Sequence, residues 1–273
     1  MRPKFLRVPW NWGSTHEEGN VFLFTWGTNM SLISPIEANY AQNLDFQQFL
    51  RGRWFSSLPH ALARALFLAG RVVECRAGHS LFLEGAPPQG LYGLIQGAVH
   101  FETIDHSGRR VLFHVAGPGY WFGGISLTAQ KPMMMSARAF GRVKVLHIPV
   151  FKIPNALLQT PEGARALCTL VEMRLSTLLN FVTGMRRPTA IAQVGSRLAA
   201  LDRNAKENDS SLRLSVLHMT QSDLADMTGH SRQTINAIVA RFQQCGFIKV
   251  ARRQIVITNA AALERYCWAD LDA

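Results

Sequence analysis

Cysteine is scarce in this 273-residue chain: Cys75, Cys168, Cys245 and Cys267 lie far apart and form no C-x-x-C pair. That spacing excludes a disulfide framework or a thiolate metal site as the basis of the fold, and it suits a reducing compartment. No unbroken run of about 18 apolar residues is present to span a bilayer. The opening stretch MRPKFLRVPWNWGSTHEEGN lacks the apolar centre of a signal peptide. A cytoplasmic protein with no membrane partner is therefore expected. Charge is sparse at 17% against 48% hydrophobic residues, which excludes disorder throughout. Acid is scarcer than base, 18 residues against 29, and the net charge of +11 favours a polyanionic partner without naming one. From Arg186 onward there are 12 Lys or Arg against 8 Asp or Glu, so the excess is spread along the chain. A local motif must carry any claim on nucleic acid.

The length allows two domains, each able to bury a core. In residues 1–29, Trp10, Trp12 and Trp26 sit among Gly, Asn, Pro and Thr with neither helical nor strand periodicity. This reads as a loose tail, or even as translated upstream sequence with the natural start at Met30; the alternative is an aromatic docking segment. From about Leu44 to Ala69 the pattern is helical, with Phe46, Phe49, Leu50, Leu58, Leu62, Leu66 and Phe67 as buried candidates. Between Arg71 and Pro149, short β-rich runs alternate with glycine, the texture of a sandwich or roll, and DHSG joins AVHFETI to RRVLFHV as a hairpin. A long helix then begins after Pro154 or Pro161 and runs to about Arg187. Its Cys168, Val171, Leu175, Leu178, Val182 and Met185 are spaced as a coiled-coil seam. Such a stripe serves either a dimer or packing on the helix's own domain, and a two-fold partner also suits palindromic DNA. Pro188 ends the helix. A second helix over about Thr189–Asp202 carries Ile191, Val194, Leu198 and Leu201, and DRNAKENDSS reads as a polar loop.

The segment MTQSDLADMTGHSRQTINAIVARFQQCGFIKV carries the sharpest signal. Thr220 can cap a helix whose third residue, Asp223, suits the helix dipole. Leu224, Ala225 and Met227 form its apolar face, and Gly229 gives a tight turn its backbone freedom. Ser231 caps a second helix to about Gln243, with Ile235, Ile238, Val239 and Phe242 inward. Its remaining face begins with Arg232 and Gln233 and continues through Asn236, donors suited to guanine and adenine edges in the major groove. Thr220, Gln221, Ser222 and Ser231 are candidate backbone contacts. GFIKVARRQIVIT then reads as a two-stranded wing about Ala251, with Arg252 and Arg253 placed for phosphates. Capping, turn glycine, donor face and basic wing in one register predict double-stranded DNA as partner.

The glycine-punctuated roll with AGHSLFLEGAPPQGLYGLIQGAV, the long helix, and TQSDLADMTGHSRQTI followed by a wing closely resemble the Crp/Fnr family of bacterial transcription regulators over about residues 45–265. The resemblance implies an α+β fold with an N-terminal antiparallel, jelly-roll-like β-roll as sensor, a long dimerisation helix and a C-terminal winged helix-turn-helix. The corresponding divisions are a tail at 1–29, a sensor at 30–154, the helix at 155–187 and the DNA-binding domain at 188–273. The seam of Val171, Leu175, Leu178, Val182 and Met185 would join a homodimer on inverted repeats, with RNA polymerase as a further partner. The function implied is transcription regulation, not catalysis.

Cyclic-nucleotide-binding members of that family present a glutamate after FG, then an arginine and a serine for the phosphate. Here WFGGISLTAQKPMMMSARA places Gly124 after Gly123 at the glutamate position and Met135 at the arginine position, leaving only Ser136. Loss of the arginine removes a bidentate charged partner, so cyclic AMP is not expected to bind. No cysteine precedes Cys75, so an iron–sulfur cluster is not expected either. Haem needs only one axial ligand, and His79, His100, His106, His114 and His147 lie in or near the roll, although a strand histidine is more often packed or solvated. Met133, Met134 and Met135 either line an apolar effector pocket or cap the roll. In the recognition helix, Gln233 and Ala237 replace an acid and an arginine of the family pattern. The leading expectation is a dimeric regulator answering an unknown small-molecule or redox effector. Alternatives are an effector-independent regulator with a vestigial roll and a cupin-like metal enzyme, the latter lacking a His-x-His with a following Glu.

Overall fold

The computed structural model describes residues 30–33 and 42–269. The readings of residues 1–29, including Trp10, Trp12 and Trp26, lie outside the described residues. Three helices lead into the roll: α1 (Leu44–Leu50), α2 (Arg53–Ser56) and α3 (His60–Ala69). The Asn43 side chain caps α1 by accepting the Asp45 N–H at 2.9 Å. Phe46, Phe49, Leu58, Leu62, Leu66 and Phe67 are buried as expected, but Leu50, at the frayed end of α1, is exposed.

The roll is one antiparallel seven-stranded sheet ordered β1 (Met30–Ile33), β2 (Arg71–Cys75), β7 (Ser136–Pro149), β4 (Gly90–Ile104) and β5 (Arg110–Ala116). β3 (Ser80–Phe82) pairs with β7, and β6 (Trp121–Phe122) pairs with β4. β4 and β7 are long enough to curl around the roll because each breaks register where they face one another, between Leu94 and Ala98. Gly97 makes this bend: its φ is 87°, and a Cβ there would meet the Arg142 carbonyl oxygen at 2.4 Å. The β4–β5 hairpin turns at Asp105–Gly108 as read, with the Asp105 carboxylate accepting the Ser107 and Arg109 N–H groups.

One core joins the leading helices to the roll's outer face: Phe46, Phe49, Trp54, Phe55 and Phe67 meet Leu91, Trp121 and Ile148. Phe55 stacks on Trp121 with centroids 5.2 Å apart, and the Trp54 indole donates to the Ala166 carbonyl at 2.7 Å. Truncating one such aromatic costs about 3–5 kcal/mol. After the short α4 (Gly124–Ala129) and α5 (Asn155–Leu158), the long helix α6 spans Pro161–Met185. It starts at the second of the two candidate prolines, where Thr160 caps it by accepting the Gly163 N–H at 3.0 Å. Leu167, Leu170 and Met173 pack on the roll core. Contrary to the expectation from unbroken apolar runs, the most apolar 18-residue window of α6 has a mean hydropathy of 1.2, enough by length and composition alone to cross a membrane. The average tolerates Glu172 and Arg174, which interrupt the run.

α7 (Ala190–Asn208) ends six residues beyond the expected Asp202. The DRNAKEN run is polar, yet it is rich in good helix formers, and its inward side chains find partners: Asn204 donates to the Thr177 hydroxyl at 3.3 Å and Asn208 to the Asn204 carbonyl at 2.6 Å. Ile191 is only half-buried, while Val194, Leu198 and Leu201 are core. α8 (Gln221–Thr228), α9 (Arg232–Gln244), β9 (Ile248–Ala251), β10 (Gln254–Ile257) and α10 (Ala260–Ala269) complete the C-terminal unit. A further strand, β8 (Ser215–Leu217), pairs with β10 to make its sheet three-stranded. The Leu112 and Val115 side chains of the roll lie in the same core as this unit.

Three histidines are buried in the roll. His147 stacks on Tyr92, and burial lowers its pKa to about 4 against the partial opposition of a hydrogen bond to the Gln89 carbonyl. Burial likewise lowers His100, and burial with Arg197 and Arg174 lowers His114 well below the usual value. The unfolded chain therefore binds more protons than the folded one below about pH 6.5, the free histidine value. Stability is complete above that pH and falls as the pH drops towards the folded values, by up to about 1.4 kcal/mol per pH unit for each group. Chemical denaturation at pH 7.5 and 5 should show this loss, and His147→Phe should lessen it; a flat profile would show that the histidines are not buried neutral.

Candidate nucleic-acid interface

α8 begins with a reciprocal cap. The Thr220 hydroxyl accepts the Asp223 N–H at 3.0 Å while the Asp223 carboxylate accepts the Thr220 N–H at 2.8 Å. The helix closes at Gly229 in the left-handed region, φ 73°, a conformation costly for a residue with a Cβ. Two residues later Ser231 caps α9 by accepting the Thr234 N–H at 3.1 Å. Leu224, Ala225 and Met227, then Ile235, Ile238, Val239 and Phe242, are all buried, so the opposite face of α9 is set by elimination. Arg232, Gln233 and Asn236 are exposed there, as is Ser231 at the cap.

The wing, β9 and β10, turns at Arg252 and Arg253, both exposed. Thr220, Gln221 and Ser222 at the start of α8, Asn236 on α9 and Arg253 on the wing line one open concavity of about 240 Å³. The structure thus gathers five of the sequence-derived DNA residues around a single surface. Arg232, Gln233, Ser231 and Arg252 lie outside that lining. Arg253 also has a partner in the roll: its guanidinium sits 4.3 Å from the Phe140 ring centroid, a cation–π contact. The His100 ring stacks on the same Phe140 at 4.3 Å.

The helix pair is fastened to its surroundings by contacts that the sequence does not announce. Arg110 of β5 donates to Asp223 at 2.6 Å, to Asp226 at 2.7 Å and to Glu102 at 3.2 Å. Burial alone would raise the Asp223 pKa; hydrogen bonds from Arg110 and from Thr220 outweigh it and hold the carboxyl below its usual range. The His100 Nε2 donates to the His218 carbonyl at 2.9 Å, just before α8. At the turn, His230 Nε2 donates to the Gln193 amide oxygen at 2.8 Å, and Gln193 donates to the Arg187 carbonyl at 2.7 Å. The partners are 37 to 118 residues apart in most of these bonds, so periodicity carries no trace of them.

The roll interior near the cassette residues is packed with apolar side chains. Phe82, Tyr92, Phe101, Tyr120, Phe122 and Met133 are all buried in one interior cluster, with Tyr92 stacked on Phe122 at 5.1 Å. The methionine run divides: Met133 fills this interior, Met135 packs against it, and Met134 is 68% exposed. A Cβ at Gly124 would lie 3.1 Å from Leu170 of α6, and the Ser136 hydroxyl accepts the Glu84 N–H at 2.9 Å. His79 and His106 are exposed. Among the described residues no group of three His, Cys, Asp or Glu side chains is placed to hold a metal ion. On α6, Val171, Leu175, Leu178, Val182 and Met185 form an apolar stripe that is 39–53% exposed in the single chain.

Two family models match the chain: the cyclic nucleotide-binding domain at residues 72–160 and the Crp-like helix-turn-helix domain at residues 192–266. A CRP-like cAMP-activated global transcriptional regulator from Mycobacterium tuberculosis is 28% identical over 209 residues, covering 76% of this chain and 92% of the relative. The fumarate and nitrate reduction regulatory protein of Salmonella typhimurium is 24% identical over 77% of this chain and 83% of its own length. The solved structure of FixK2 from Bradyrhizobium japonicum matches with a TM-score of 0.61 at 21% identity, covering 72% of this chain and 96% of that one, and so shares the fold.

If Arg110 holds α8 to the roll, Arg110→Ala and Asp223→Ala should each cost about 1–3 kcal/mol in chemical denaturation. The double variant should reveal a coupling of at least about 1 kcal/mol. Additive losses would show that the two act separately.

Proposed function

Since the chain belongs to the Crp/Fnr family of transcription regulators, we propose that it is a homodimeric, sequence-specific DNA-binding regulator whose effector is neither cyclic AMP nor an iron–sulfur cluster. The observation that carries the DNA reading is the concave surface shared by the start of α8, the exposed face of α9 and the wing. Arg232, Gln233 and Asn236 read base edges. Thr220, Gln221, Ser222, Ser231, Arg252 and Arg253 hold the backbone, with Arg253 exchanging the Phe140 ring for a phosphate. Residues 30–154 act as sensor, 155–187 as dimerisation helix and 188–273 as reader, in a cytoplasmic protein acting with RNA polymerase. Regulation follows from differential binding and needs no bond chemistry.

Selection of bound sequences from a random duplex pool tests this directly, and a two-fold symmetric motif is the expected result. Arg232→Ala should cost about 1–3 kcal/mol and relax one base pair per half-site, whereas Arg252→Ala should weaken all sequences and lower the salt slope. Uniform weakening by Arg232→Ala would instead mark it as a phosphate contact.

The exposed stripe on α6 supports the dimer, because an apolar seam of this period is matched by a second copy of itself. Leu178→Glu should give monomers in sedimentation and abolish tight binding to the two-fold site; a dimer of unchanged strength would place the interface elsewhere.

The argument against cyclic AMP joins Gly124 and Met135 to the filled interior. Aromatic rings pack the roll interior, and a nucleotide bound there would lack its charged partner. At 1 mM cyclic AMP no rise in melting temperature is expected, while a ligand held at 100 times its Kd would stabilise by about 2.7 kcal/mol. The closed roll also favours a second reading, a regulator that needs no effector. A symmetric motif selected equally with and without a macromolecule-free cell extract would support it.

A further inference from the structure

Arg197, in the middle of α7, touches the roll, α6 and α8. It is 4% exposed. Its Nε donates to the Met227 sulfur of α8 at 2.7 Å, a terminal nitrogen donates to the Phe113 carbonyl of β5, and its guanidinium lies 4.7 Å from the ring centroid of Phe181 on α6. The Phe113 and Phe181 rings meet edge to face at 6.5 Å beside it. No carboxylate pairs with this cation among the described residues, since the recorded ion pairs involve other bases. Burial lowers its pKa to about 10, with Tyr120 opposing, so it stays charged at neutral pH.

A thioether is a weak acceptor and a ring face a weak partner, so beyond the Phe113 carbonyl the guanidinium finds little to replace the water it has lost. Burying a charge without an opposite charge is costly. What the arginine supplies at this position is geometry. The rigid guanidinium plane fixes a strand of the roll, the dimerisation helix and the first helix of the reader at set distances from one point. The cavity next to it, lined by Asn180, Phe181, Gln193 and Met227 among others, is about 10 Å³, room for a single water and no ligand. One side chain thus contacts all three parts at once.

We infer that Arg197 is a positioning residue that sets the angle of each DNA-reading unit against α6, and through it the half-site spacing that the dimer accepts. The inference rests on the regulator reading above. A domain free to rock about the α6–α7 junction accommodates half-sites one base pair nearer or farther, which a domain pinned by Arg197 refuses. The Gln193 bridge from the Arg187 carbonyl to His230 supports the same junction from its other side.

The experiment uses the full chain and a duplex series in which the selected half-sites are moved apart one base pair at a time, with an isolated half-site as reference. Wild type should prefer one spacing by about tenfold or more over its neighbours, as expected for two-fold readers on a helical lattice. Arg197→Met should melt at or above the wild-type temperature, bind the isolated half-site equally well, and lose most of that spacing preference; Arg197→Lys should recover part of it. An unchanged preference in Arg197→Met overturns the inference, as does an equal loss on half-site and full site. If Arg197→Met melts far below wild type, the Lys variant decides, and wild-type spacing preference in it is equally fatal. Wild type selecting no symmetric motif overturns the regulator reading itself, and the inference with it.

Discussion

The two carboxylate oxygens of Asp223 face two parts of the molecule. Oδ2 closes the first turn of α8 through the Thr220 N–H, and Oδ1 receives Arg110 from the roll. Helix capping and interdomain docking thus share one residue in a buried setting where neither bond competes with bulk water. The start of α8, which would face phosphate, is ordered by the same carboxylate that ties it to the roll. Arg110 also offsets Asp223 and Asp226, two negative charges that would otherwise stand uncompensated beside a polyanion. Arg110 shares the link between the β4–β5 hairpin and the C-terminal unit with the His100–His218 bond and the Arg197–Phe113 bond.

Much of this fold was legible because its signals are local. Thr220, Gly229 and Ser231 announce the helix pair within a dozen residues, and each takes the conformation its chemistry favours. The DHSG turn and the seam on α6 belong to the same class. Polar runs were read less well: DRNAKEN looks like a loop until Thr177 and Asn204 find each other across two helices. β8 escaped notice because a three-residue strand has too few alternations to register. The whole interdomain fabric, with Arg110, Gln193, Arg197 and Phe140, was invisible, since its partners come together only after both halves have folded. A methionine triplet likewise carries no hint that one member turns inward and the next outward.

The roll and the reader handle their ionisable groups differently. The reader's outer face keeps Arg232, Arg252 and Arg253 in water, where they cost little to hold charged. The roll buries His100, His114 and His147 as neutral rings used for stacking and shape. These rings are part of the roll's packing, and the roll meets the C-terminal unit at the β4–β5 hairpin and at α7.

Gly124 marks a place where the roll and the long helix lie close together: a Cβ there would lie 3.1 Å from a Leu170 methyl group. Any larger residue at this position would make that methyl give way by a few tenths of an ångström, so the absence of a side chain on the roll sets how closely α6 can lie against it.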